Sequence, residues 1–180
     1  MRELREIVGD KIKILSLADI NCNEEIPETA DTLKGNSYLK ANYIKDNYGY
    51  DCFADDTGLE IEALGGEPGV FSARYAGYDC NSENNIDKVL KNLSNEENRV
   101  ARFVTVITLI LGNDIYTFEG EVKGEILTER HGKGGFGYDP IFKPIEADCS
   151  FAEMSAEEKN AISHRGRAVA KLLTFLNEVI

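Results

Sequence analysis

Polar and apolar positions along this chain switch between a period of two and a period of three to four, and the switches lay out an α/β order. Lys11 to Leu17 (KIKILSL) alternates polar and apolar residues and predicts a half-buried strand. A polar stretch from Asp19 to Asp31 follows. From Thr32, the positions Leu33, Ser37, Ala41, Ile44 and Tyr48 fall on one face of a helix that ends near Gly49. A strand is expected over Asp51 to Asp55, a loop over Gly65 to Gly69, and a helix over Asn81 to Leu93 with Ile86, Val89, Leu90 and Leu93 inward. Phe103 to Leu111 is almost continuously apolar and β-branched, as in a strand covered on both faces. Gly112-Asn113 then reads as a hairpin turn. Beyond it, Tyr116, Phe118, Val122 and Ile126 alternate with Thr117, Glu119, Lys123 and Glu125, the pattern of a long antiparallel strand with one wet face.

The last helix opens on Ser155-Ala156-Glu157-Glu158, a capping-box pattern, and carries Ile162, Val169, Leu172, Leu173 and Leu176 as its buried stripe. Gly166 inside it costs about 1 kcal/mol relative to alanine, which predicts a break there or a close approach by a ligand. The order of elements predicts an α/β fold, a mixed twisted sheet with flanking helices.

Composition narrows the class. With 180 residues, 42% hydrophobic and 29% charged, the chain (1–180) is expected to form one domain whose core needs neither disulfides nor a structural metal. Cys22, Cys52, Cys80 and Cys149 are widely spread and do not cluster with His131 or His164, so reduced thiols are expected. No apolar run approaches membrane-spanning length and Met1 to Glu6 lacks a signal-peptide core, which points to the cytoplasm. A net charge of −12 argues against nucleic-acid polymers and anionic membranes as partners. Small phosphorylated ligands need only a local cationic pocket. Arg130, His131, Lys133, Lys159, His164, Arg165 and Arg167 concentrate positive character in the last third, although a plain surface fluctuation gives the same count.

Candidate chemistry starts at Ala54-Asp55-Asp56-Thr57-Gly58-Leu59, where two adjacent acids follow a short apolar stretch. Burying ionised carboxylates is costly unless a cation or several donors meet them, so on a strand end the pair suits a divalent ion and a polyphosphate. A turn cap before Gly58 is the alternative. Gly132-Lys133-Gly134-Gly135-Phe136-Gly137 satisfies a dinucleotide-loop pattern formally, but Pro140 stands where the following helix should start. No nucleophile elbow frames a serine, and Ser163 does not face His164 on a helix. Metal-assisted phosphoryl or nucleotidyl hydrolysis fits better, because it asks for carboxylates, a base for water, and cations or amides for phosphates.

Four collinear segments, Ala54 to Leu59, Gly69-Val70-Phe71-Ser72-Ala73-Arg74-Tyr75-Ala76-Gly77, Gly134-Gly135-Phe136-Gly137-Tyr138-Asp139-Pro140 and Glu158-Lys159-Asn160-Ala161-Ile162-Ser163-His164-Arg165-Gly166, resemble the inosine/xanthosine triphosphate pyrophosphatase (ITPase) family over the whole chain. The resemblance implies magnesium-dependent hydrolysis of a non-standard purine nucleoside triphosphate to the monophosphate and pyrophosphate, by a homodimer of elongated, two-lobed subunits. It implies that Asp56 binds magnesium and activates water, supported by Asp55, and that Thr57 meets the substrate. By the same resemblance Phe136 stacks on the base and Gly137, Tyr138 and Asp139 fix its edge. Lys159, His164 and Arg165 then donate to a 6-oxo group. Structural alternatives stand beside these roles: Phe136 as core, Tyr138 as loop packing, Arg165 paired with Glu157 or Glu158 on its own helix, and Arg74 in a salt bridge.

Two departures from the family pattern carry expectations of their own. Family members begin with a strand and a Thr/Ser-x-Asn-x-x-Lys loop, and nothing like it precedes Met1-Arg2-Glu3-Leu4, so the chain is expected to be N-terminally truncated, starting inside the next helix. Thr32-Leu33-Lys34-Gly35-Asn36-Ser37 resembles a family helix in which a glutamate ligates the metal, and here Lys34 and Gly35 occupy those places. A lysine near Asp56 would weaken metal binding, leaving slow hydrolysis or a site completed by another carboxylate such as Glu28. Replacing Lys34 with Glu is then expected to raise turnover. A silent purine-nucleotide-binding protein and a purely structural subunit remain the other two readings.

Overall fold

The computed structural model describes residues 12–179. Helix α1 (Leu33–Tyr48) begins where Thr32 accepts a hydrogen bond from the Gly35 N–H and ends at Gly49, whose φ of 74° closes the last turn. Its buried face is Leu33, Asn36, Ser37, Ala41 and Ile44. Strand β1 (Cys52–Ile61) follows, then helix α2 (Ser82–Asn92), strands β2 (Val100–Leu111), β3 (Asp114–Ile126) and β4 (Phe142–Pro144), and helices α3 (Ala156–Ile162) and α4 (His164–Val179).

The four strands pair in sequence order and every pairing is antiparallel. The parallel component of the expected mixed sheet is therefore not among the described residues. The tight Gly112-Asn113 turn between the paired Leu111 and Asp114 forces β2 and β3 antiparallel. The predicted strand over Lys11 to Leu17 also differs: Lys11 lies outside the described residues, and 12–17 form no ladder with any other described residues. Ser16 instead donates through N–H and hydroxyl to Asp19, while Ile12 and Ile14 still pack against the core. Among the described residues the alternation shows as partial burial of Ile12 and Ile14.

β1 is longer than expected and runs straight through the acids. Ten consecutive residues pair with β2, from Cys52↔Ile110 to Ile61↔Ala101. Asp55 and Asp56 thus sit in mid-strand, each neutralised by a cation brought from a helix, and not at a strand end.

Two apolar cores share the long strands. Leu59, Ile61, Phe103, Val122 and Ile126 pack with α2 and with Phe142 and Phe151. Ile107 and Leu109 pack with Ala168, Leu172, Leu173 and Leu176 of α4. A smaller group, Leu33, Val104 and Val106, seats α1 on the opposite face. Gly120 lets α4 approach β3, since a Cβ there would run into His164 O and Ala168 N.

The expected single C-terminal helix is two. Ser163 is extended (φ −68°, ψ 153°) and its Oγ accepts from Gly166 N at 3.0 Å, capping α4. The break lies three residues before Gly166, and the close approach at Gly166 is by the chain's own Asn160 O.

Candidate functional site

A cavity of about 380 Å³ opens where the sheet, α2 and the α3–α4 junction meet. Thr57, Leu59 and Phe103 form its floor, Ser72, Ala73 and Asn85 one wall, and the 136–139 loop with Lys159, His164 and Arg165 the other. All eight residues expected to bind substrate, Thr57, Phe136, Gly137, Tyr138, Asp139, Lys159, His164 and Arg165, line it.

The loop is shaped from within. Gly132, Gly135 and Gly137 all take positive φ, and a Cβ on Gly135 would collide with the Asp139 carboxylate. Buried Asp139 accepts from Phe136 N at 2.9 Å and from Lys159 Nζ at 2.5 Å. Lys159 Nζ also lies 4.2 Å from the Phe136 ring centroid. Phe136 is 68% exposed, so it is not core, and one ring face is left for a ligand. Tyr138 is buried and donates to Ser72 O at 2.7 Å, tying the loop to the opposite wall. Burial raises its phenol pKa. Asn85 braces that wall, donating to Ala73 O and accepting from Ala76 N.

His164 is 5% exposed and stacks on Phe103 at 4.7 Å. Its Nδ1 has no hydrogen-bond partner among the described residues. Burial, with the charges of Lys159 and Arg165 adding to it, pushes its pKa down to about 3, so the imidazole is neutral at physiological pH. Arg165 does not take the partner expected on a continuous helix: Glu158 lies on α3, across the break, and is occupied with the Ser155 N–H. Its Nη2 reaches across to Asp55 Oδ2 at 2.8 Å.

Asp56 is not part of this lining. Adjacent strand residues face opposite ways, and Asp56 points toward α1. Its Oδ1 accepts from Lys40 Nζ at 2.9 Å, and the same ammonium donates to Glu28 Oε1 at 2.7 Å. Arg74 Nη1 lies 3.7 Å from Glu28 Oε2, the salt bridge foreseen as an alternative for Arg74. Burial raises the Asp56 pKa, with the Glu28 charge working in the same direction and Lys40 against it. Burial alone would lower the Lys40 pKa, but its hydrogen bonds to Glu28 and Asp56 and their charges outweigh it and the pKa is raised. Fully buried Asn36 faces the carboxylate closely enough to favour its charged form, yet its Nδ2 completes no hydrogen bond among the described residues.

The lysine expected to oppose a metal at Asp56 is therefore misplaced. Lys34 is exposed, and the ammonium at the acid belongs to Lys40. Lys40 was legible in principle: it falls inside the α1 stripe, one turn beyond Asn36, and a lysine on an apolar face needs an acid partner. Glu28, the other carboxylate expected to be within reach of the site, shares the Lys40 ammonium with Asp56. Among the described residues no group of three His, Cys, Asp or Glu forms a metal cage. Two carboxylates already sharing one cation, together with substrate phosphates, nevertheless fit the way Mg²⁺ is usually held.

β1 has β2 on one side and no strand on the other among the described residues. Its outer edge separates the aromatic, donor-lined cavity from the acid cluster by a single residue. Such a fold and site join an aromatic, donor-lined cavity to a carboxylate pair, Asp56 and Glu28, of the kind found in enzymes of phosphate chemistry. A model of the Ham1 family matches residues 1–175, and the chain belongs to that family. Relatives named dITP/XTP pyrophosphatase are 57% identical over 174 residues in Flavobacterium johnsoniae (97% of this chain, 91% of that protein) and 52% identical over 177 residues in Porphyromonas gingivalis (98% and 91%). The solved Ham1 protein of Staphylococcus aureus superposes with a TM-score of 0.94 at 37% identity, covering 99% of this chain and 93% of that one. The ITPase-like fold expected from the four segments is thereby borne out.

Proposed function

We infer that the chain is a nucleoside-triphosphate pyrophosphohydrolase acting on non-standard purine nucleotides, inosine and xanthosine triphosphates and their deoxy forms. The observation that carries this is the convergence of Phe136, Asp139, Lys159, His164 and Arg165 on one cavity beside the paired acids of β1. A purine stacks on the outer face of Phe136 while Asp139 and Lys159 hold the loop beneath it. Arg165, Lys159 and a neutral His164 present donors to a 6-oxo group. The 6-amino group of adenine is itself a donor and leaves them unmatched, at a cost of about 1 to 3 kcal/mol per buried donor.

The nucleotide crosses the outer edge of β1, so that its phosphates reach Asp56, Lys40 and Arg74. Asp56 takes a proton from water, whose oxygen bonds to the α-phosphorus as the bond to the pyrophosphate oxygen breaks. The raised proton affinity of Asp56 suits a general base. Lys40 and Arg74 neutralise phosphate charge. Glu28 and Asp56 are the residues that would hold magnesium, which when bound stabilises charge on the phosphate oxygens. A homodimer belongs to the same proposal and is checked by sedimentation velocity. No helix among the described residues is long and apolar enough to cross a membrane, and a cytoplasmic location is proposed with the rest.

Pyrophosphate release from inosine, xanthosine and adenosine triphosphates tests the reading. We expect kcat/KM for the oxo-purines to exceed that for adenosine triphosphate by about tenfold or more. Equal rates on all three would overturn it. Because Lys40 occupies both acids, a silent nucleotide-binding protein is the second reading, and calorimetric binding without pyrophosphate release would favour it.

A further inference from the structure

Arg165 belongs to two places at once. It lines the base cavity, and it donates to Asp55 Oδ2 at 2.8 Å, one residue along β1 from Asp56. The partners come from α4 and β1, 110 positions apart, and meet only because the fold brings the α4 N-terminus over that strand. Both side chains are well exposed, 51% for Arg165 and 40% for Asp55, so the pair is one that solvent or a ligand can exchange. Exposed pairs of this kind shift an equilibrium by about fivefold at most.

We propose that Asp55 holds Arg165 in the free protein and yields it to the 6-oxo group of an incoming purine, so that seating the base frees the Asp55 carboxylate on the cavity face of β1. This rests on the oxo-purine reading given above. An oxo oxygen is an acceptor, as a carboxylate is, and takes the guanidinium donor that Asp55 gives up. Adenine presents a donor at that position and leaves the pair intact. The interaction with Asp55 is thus lost only when an oxo-purine binds, and by linkage it weakens oxo-purine affinity while leaving adenine affinity untouched. Asp55 is then a positioning residue for Arg165.

Linkage gives the proposal a sign opposite to that of a simple structural role. The Asp55→Asn variant keeps the side-chain shape and removes the charge. Its affinities for inosine and adenosine monophosphates are measured by calorimetry at low salt without divalent ions; the two ligands carry equal charge, so any general field effect cancels in their ratio. We expect inosine monophosphate to tighten about two- to fivefold relative to adenosine monophosphate. The gain shrinks at high salt and disappears when Asp55→Asn is made in an Arg165→Ala background. Equal tightening of both ligands, no change, or weaker inosine monophosphate binding would each overturn the proposal. Failure of the oxo-purine reading looks different: the unaltered protein would then show no preference for inosine monophosphate.

Discussion

At the scale of single residues, the site is built from side chains whose ordinary behaviour has been bent by their surroundings. His164 is the clearest, since burial against Phe103 and Phe151 pushes its pKa from 6.5 to about 3. The unfolded chain binds the proton at higher pH than the folded one. His164 therefore contributes stability that is fully present above about pH 6.5 and is lost as pH falls toward 3. Urea unfolding across that range should show His164→Phe losing less stability on acidification than the parent does. Asp56 moves the other way, up, because burial outweighs Lys40. Removing the ammonium in Lys40→Met raises it further. The acidic limb of the kcat/KM profile should then move to higher pH, and an unmoved limb would remove Asp56 as the base. Asp55 and Asp56 were conspicuous in the sequence because adjacent acids suit a half-buried strand poorly, whereas Phe136 and His164 took their roles from the family resemblance. Lys40 was not, since lysines are common on helices and only the register of the α1 stripe marks this one as facing inward.

At the scale of elements, most boundaries followed from caps and periodicity, as at Thr32 and Gly49 around α1 and Asn81 before α2. The misses have two physical causes, partners far along the chain and a local cap. β1 continues through two aspartates because Lys40 and Arg165 neutralise them and β2 pairs with all ten residues. The helix break falls at Ser163 because a serine hydroxyl can cap the Gly166 N–H, a local option that the apolar stripe concealed. Ser163→Ala should cost about 1 kcal/mol through loss of that cap. Gly120→Ala should cost about 1 to 3 kcal/mol, because its Cβ would push α4, and His164 with it, off the sheet. Thermal melts check both, with Gly120→Ala the lower of the two; a melt unchanged from the parent would mean that α4 does not rest on β3 as described.

For the whole molecule, the long antiparallel strands carry the cavity and the acid cluster on opposite faces. The aromatic and donor groups belong to the α4 side, the carboxylates and Lys40 to the α1 side, and one strand edge lies between them. Four segments scattered over more than 100 residues were readable as one site only through their resemblance to a family; the residue types alone said carboxylates and a glycine loop, not that they share a cleft. The division into halves predicts that base binding and hydrolysis are separable. The most direct measurement is single-turnover pyrophosphate release from inosine triphosphate by Asp56→Asn, alongside its affinity for inosine monophosphate. Release should fall by about a hundredfold or more, while monophosphate affinity stays within about threefold of the parent. Release at the parental rate would contradict the account at its centre.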